Sequence, residues 1–82
     1  MADMDAGAGA VTARSTSVTS RSLAVLAAFE STTGALTVAR IAQRARLPLS
    51  TTYRLVHELE AWGGLDRTAD GHYQVGMRIW EL

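Results

Sequence analysis

Eighty-two residues leave room for one small domain and no more. The absence of cysteine and of any apolar run of bilayer length excludes a disulfide scaffold, a thiolate metal cage and a membrane-spanning helix. Arginine supplies every cation and matches the carboxylates for a formal net charge of zero, so a polyanionic partner would have to meet a local patch rather than a uniformly basic molecule.

The first stretch, MADMDAGAGAVTARSTSVTS, is built of Ala, Gly, Ser and Thr with little to bury, and residues 1–19 are expected to form a disordered tail. It carries no basic-then-apolar secretion signal, which fits a soluble cytoplasmic protein. Ser20 is the candidate cap of a first helix with Leu23, Val25, Leu26 and Phe29 as its apolar stripe. That stripe spans roughly 160° of the helical wheel. It is wide enough for two neighbours, the core and a second subunit. Gly34 is the expected left-handed stop.

Thr37 can cap a second helix, VARIAQRA, with Val38, Ile41, Ala42 and Ala45 on one face and Arg40 and Arg44 on the other. The segment Arg46-Leu47-Pro48 breaks it, and Pro48 suits the first turn of a third helix reaching Trp62. Thr52, Leu55, Val56, Leu59 and Trp62 form its inward stripe, with Trp62 as a core plug, and Gly63-Gly64 ends it. Asp70-Gly71 then favours a tight turn between two short strands, a wing over about 65–75. Residues 77–82, MRIWEL, resume a helical pattern as the start of a further helix.

Two helices joined by a short break and followed by a hairpin predict a mainly α winged helix-turn-helix domain over residues 20–76, with the helix-turn-helix unit at about 38–57. Its spacing can be checked. Counting Val38 as the first position, the inward positions 4, 8, 10, 15 and 18 hold Ile41, Ala45, Leu47, Thr52 and Leu55. The position where the helices cross must be small, and it is Ala42.

In this motif the second helix of the pair enters the major groove of duplex DNA. Here its outward face carries Ser50, Tyr53, Arg54 and His57 within roughly 100° of arc. Arg54 can grip guanine or a phosphate, Ser50 and Tyr53 can donate to phosphates, His57 can do either, and Leu49 can pack on a thymine methyl. Arg67 and His72 on the wing can reach flanking backbone or minor groove. From Ser31 to His57 the chain holds Arg40, Arg44, Arg46 and Arg54 with no acidic residue, a basic patch inside a neutral protein. A polar face opposite a core stripe is ordinarily just solvated, and Arg40 and Arg44 could serve only solubility. It is the combination of spacing, patch and wing that points to DNA.

Catalysis and cofactors find no support. His57 and His72 lie on different elements without ligand spacing, Glu58 and Glu60 do not share the helix face of His57, and no nucleophile set, phosphate loop or dinucleotide glycine pattern occurs. Neither a metal nor a cofactor is expected.

The segments LTVARIA (Leu36 to Ala42), LPLSTTYRL (Leu47 to Leu55) and DGHYQVG (Asp70 to Gly76) together resemble the N-terminal domain of the IclR family of bacterial transcription regulators, over residues 20–82. The resemblance implies DNA binding through a recognition helix that begins at Ser50, Thr51, Tyr53 and Arg54. It also implies assembly as dimers or tetramers, repression more often than activation, and a small-molecule effector held by a C-terminal domain outside these residues. Residues 77–82 would begin the linker helix, and that helix and the first would pair two copies on a two-fold operator. Three positions depart from the family pattern: Arg46 where glycine is common, Leu49 where a basic residue is common, and Thr52 where a branched apolar residue is usual. The alternative is a winged-helix module that binds protein rather than DNA.

Overall fold

Ser17, not Ser20, opens the first helix. The computed structural model describes residues 17–32 and 34–82. Helix α1 spans Val18–Ala27, and the Ser17 side chain accepts the Ser20 N–H at 3.0 Å. Ser20 therefore supplies the backbone donor that a cap satisfies, and a run of hydroxyl residues hid which of them was the cap. Residues 17–19 of the expected tail belong to this helix start, and residues 1–16 lie outside the described residues.

The inward face of α1 is Ala24 and Val25, continued by Ala28 and Phe29 in the turn beyond it. Leu26 packs on the rim of the core and Leu23 is 46% exposed, so the stripe is narrower than its apolar residues suggest. The helix ends well before Gly34. Glu30 and Thr32 donate back to Ala27 and Phe29, and the left-handed residue of the reversal is Ser31, at φ 61°.

Helix α2, Val38–Ala45, is capped by Thr37, whose hydroxyl accepts the Arg40 N–H at 3.1 Å. Val38, Ile41, Ala42 and Ala45 are buried, as the periodicity predicts. The helix closes at Arg46, with φ 60° and ψ 46°. The Arg46 N–H donates to Gln43 and the Leu47 N–H to Ala42, the paired bonds of a Schellman turn. Helix α3, Leu49–Trp62, follows with Pro48 at its N-cap. It ends in the same motif, with Gly63 at φ 95° and Gly64 N–H on the Leu59 carbonyl at 2.8 Å. One motif thus closes both helices, once on glycine and once on arginine.

Where α3 crosses α2, Thr52 is wholly buried, and both its N–H and its hydroxyl donate to the Pro48 carbonyl, at 3.0 and 2.9 Å. That local bond is what lets a hydroxyl sit fully buried beside an apolar core. Leu55 and Val56 complete the buried stripe and Leu59 is partly covered. Trp62 is not a core plug: it is 43% exposed. A helix of this length reaches about 21 Å, and its last turn has run past the edge of the core although its wheel position still points inward.

Strands β1, Leu65–Arg67, and β2, Tyr73–Val75, pair antiparallel in the register Leu65 to Val75, Asp66 to Gln74 and Arg67 to Tyr73. Their connection is a turn over Thr68–Gly71 with Gly71 at φ 86°, closed by Thr68 N–H on the His72 carbonyl at 2.8 Å. This is the three-residue hairpin whose left-handed position needs glycine, rather than a two-residue turn centred on Asp70-Gly71. Leu36, just before α2, exchanges two backbone hydrogen bonds with Tyr73, at 2.7 and 2.8 Å. The wing is therefore stitched to the start of the helix-turn-helix unit. A single residue in extended conformation leaves no periodicity, which is why the sequence did not suggest it.

The core joins Val25, Phe29, Leu36, Ile41, Leu55, Val56, Leu65 and Tyr73 across all these elements. No helix among the described residues is long and apolar enough to cross a membrane. The short helix α4, Met77–Trp80, leaves the domain through a tight contact: Gly76 is buried, and a Cβ there would lie 2.3 Å from the Gly63 carbonyl oxygen. Its φ of −87° is open to any residue, so what demands glycine is space. Gly76→Ala should cost about 2 kcal/mol by overpacking against backbone and lower the thermal midpoint by about 10 °C. A calorimetric scan within two degrees of the parent would refute the close contact.

Candidate nucleic-acid interface

The outward face of α3 presents Leu49, Ser50, Tyr53, Arg54 and His57 to solvent, with Thr51 half-buried beside them. They are displayed because Thr52, Leu55 and Val56 are pulled inward, leaving the intervening positions to point away. Tyr53 and His57, one turn apart, set their ring centroids 6.0 Å from each other with the planes tilted by 52°. Ser50 sits in the first turn of α3, whose backbone N–H groups lack helical partners and favour an anion.

An open groove separates this face from the wing. Leu49, Tyr53 and His57 line it from α3, Arg67 and His72 from the wing, and Thr37 from the start of α2. The two histidines, unrelated in the sequence, thus face one groove. Among the described residues no cluster of His, Asp and Glu could hold a metal ion. Arg67 lies over the Tyr73 ring at 6.0 Å, which steers its guanidinium along the wing. At the wing tip Thr68 Oγ1 donates to Asp70, and this bond holds the Asp70 carboxyl below the usual carboxylate range, with nearby His72 a smaller influence in the same direction. Asp70 Oδ2 also lies 3.7 Å from His72 Nδ1.

The four arginines of the basic patch separate by what they touch. Arg40 donates to Gln43 Oε1 at 3.0 Å and stays on the surface of α2. Arg44 donates to the Ala28 carbonyl at 2.8 Å, so its guanidinium ties α2 to the end of α1. Sequence reasoning missed that role, because nothing in the spacing relates residues on separate helices. The side chains of Arg46 and Arg54 make no hydrogen bond or ion pair with any other described residue, and both residues are exposed. Arg46 stands in the turn between the helices and Arg54 on the outward face of α3.

Comparison with known proteins places this geometry. The model of the IclR helix-turn-helix domain matches residues 18–69. An IclR homologue from Microbacterium hydrocarbonoxydans, complexed with 4-hydroxybenzoate, is 43% identical, with a TM-score of 0.71, over 74% of this chain and 25% of that one. An IclR homologue from Microbacterium sp. strain HM58-2 is 42% identical, with a TM-score of 0.74, over 79% of this chain and 27% of that one. An IclR family transcriptional regulator from Brucella abortus is 37% identical, with a TM-score of 0.68, over 74% of this chain and 24% of that one. No curated protein matches at a significant level. The domain is a winged helix-turn-helix of the kind found in DNA-binding transcription regulators. The chain belongs to the IclR family, and it spans about a quarter of the length of these relatives.

Arg46 offers a direct check on the turn. A side chain held left-handed costs on the order of 1 kcal/mol, partly offset because glycine loses more freedom on folding. Arg46→Gly should therefore raise the urea midpoint and add about 0.5 kcal/mol of stability. A loss of stability would mean that Arg46 makes contacts that outweigh its backbone strain.

Proposed function

We propose that this chain binds duplex DNA sequence-specifically as the DNA-binding part of a bacterial transcription regulator, with α3 in the major groove. The observation that carries this is the segregation of α3: one face buried in the core through Thr52, Leu55 and Val56, and the other holding Ser50, Tyr53, Arg54 and His57 exposed beside a wing that bears Arg67. Arg54, with no partner among the described residues, is assigned to a base edge, preferably guanine. Ser50, Thr51 and Tyr53 are assigned to phosphates at the start of α3, and Leu49 to a thymine methyl. His57 meets either a phosphate or a base edge. Arg40, Arg46 and Arg67 take the flanking backbone. Arg44 joins them only through the guanidinium donors not engaged by Ala28.

Two copies are proposed to bind a two-fold operator, with half-sites about 34 Å apart or a multiple of that. The surfaces assigned to pairing are the outward side of α1, where Val18 and Leu23 are exposed, and α4, where Met77 and Trp80 are exposed. Repression is the mode the family favours, the cytoplasm with its nucleoid is the place, and an effector acts only through a sensing domain beyond these residues. One relative holds 4-hydroxybenzoate, which makes a small aromatic acid the first compound to try on a full-length form.

Fluorescence anisotropy with a random-sequence duplex at rising salt checks the electrostatic part. Affinity should fall with a log–log slope of about −0.9 for each phosphate engaged. Absence of binding at low salt, or a flat response, would favour a protein-binding module instead. Arg54→Ala should remove at least about 1 kcal/mol of discrimination between preferred and random duplex. An equal loss on both would make Arg54 a phosphate contact.

A further inference from the structure

The helix that leaves the domain does not hang from it by a loose hinge. Immediately after β2, Gly76 N–H donates to the Gly64 carbonyl at 2.8 Å and Arg78 N–H to the Gly63 carbonyl at 3.2 Å. Both acceptors belong to the turn that closes the recognition helix α3. The backbones approach so closely that no side chain fits between them, since a Cβ on Gly76 would also lie 3.0 Å from the Gly64 carbonyl carbon and the Leu65 nitrogen. Over this contact the Arg78 guanidinium, from α4, covers the Trp62 ring of α3 at 5.0 Å. Trp62 is itself backed by Gly64, where a Cβ would come within 2.8 Å of the ring. The end of one helix and the beginning of the other thus share two backbone hydrogen bonds and a cation–π lid.

We propose that Trp62 and Arg78 are positioning residues for operator selection: they fix the angle between α3 and α4, and through it the half-site spacing that two copies of the chain accept. This rests on the DNA-binding and pairing reading above. If copies pair through α4 while α3 enters the groove, the separation of the two recognition helices equals a sum of rigid parts only when this joint is stiff. Neither side chain lies on the Ser50, Tyr53, Arg54, His57 face, so neither would read bases itself. Arg78 is exposed, so its removal leaves the core of the domain intact.

The test is selection from a random-sequence duplex library by the 82-residue chain, followed by sequencing of the enriched pool. The parent should enrich paired half-sites at one dominant spacing. Arg78→Ala should keep the same half-site sequence and the same salt slope while spreading the spacing over several base pairs. Arg78→Lys should recover part of the preference, because it keeps a cation over the ring. Trp62→Phe, a second route to weakening the lid, should broaden the spacing in the same way. An unchanged spacing in Arg78→Ala overturns the proposal. So does a salt slope reduced by about 0.9, which would make Arg78 a direct phosphate contact. Enrichment of isolated half-sites by the parent overturns it while leaving DNA binding in place. Failure of the parent to enrich any duplex removes the functional reading and this inference together.

Discussion

The chain reverses between α2 and α3 on one left-handed residue, and the rest of the domain follows from how sharply it does so. With Arg46 at positive φ, the Schellman bonds from Arg46 and Leu47 close α2 at once, and Pro48 can start α3 only a residue later. The short break turns α3 back against α2, where Ala42 is buried, and drives Thr52, Leu55 and Val56 into the core. Fixing those three inward fixes the outward set in the same stroke, because a helix offers no other places for the remaining side chains. The exposed face of α3 is thus a by-product of the turn. A cation stands at the pivot where glycine would be less strained, and exposure leaves it free to meet a negatively charged backbone.

Most of this was legible from spacing, because helices announce themselves by period and by their caps. Thr37, the α2 stripe, the inward set of the helix-turn-helix unit and the Gly63 stop all stand where the periodicity puts them. What spacing did not carry was anything set by distance through space. Trp62 falls on the inward side of the wheel yet lies beyond the core, since the wheel says nothing of where the core ends. Arg44 looks like a solvated cation until the Ala28 carbonyl appears beside it. Leu36 gives no strand signal on its own and becomes one only when Tyr73 arrives from the other end of the domain. The start of α1 was misplaced for a different reason: several hydroxyls in a row could each have served as the cap.

The candidate site divides along the same line. Its α3 half follows from the sequence, because one helix face is a local property. Its groove does not, because Leu49, Tyr53 and His57 meet Arg67 and His72 only once the wing is folded back and pinned by Leu36. That bridge makes the wing part of the helix-turn-helix unit rather than an appendage, so the electrostatics of the groove are set by the whole fold. The groove lining holds no carboxylate; Asp70 stands at the wing tip outside it, where the Thr68 hydroxyl bonded to its carboxyl holds it below the usual carboxylate range.

The separation of duties on α3 also bears on how such a protein can change over generations. The side chains proposed to meet DNA are solvent-exposed, and Tyr53 and His57 among them form a ring pair one turn apart. Exchanges at such positions typically shift stability by no more than about 0.5 kcal/mol. Ser50, Arg54 and His57 can therefore be replaced while the domain goes on folding, so a duplicated copy can drift toward a new operator without first acquiring a stabilising mutation. Positions such as Thr52 and Gly76 have no such freedom. A lineage descended from this chain would diverge in what it binds long before it diverged in shape.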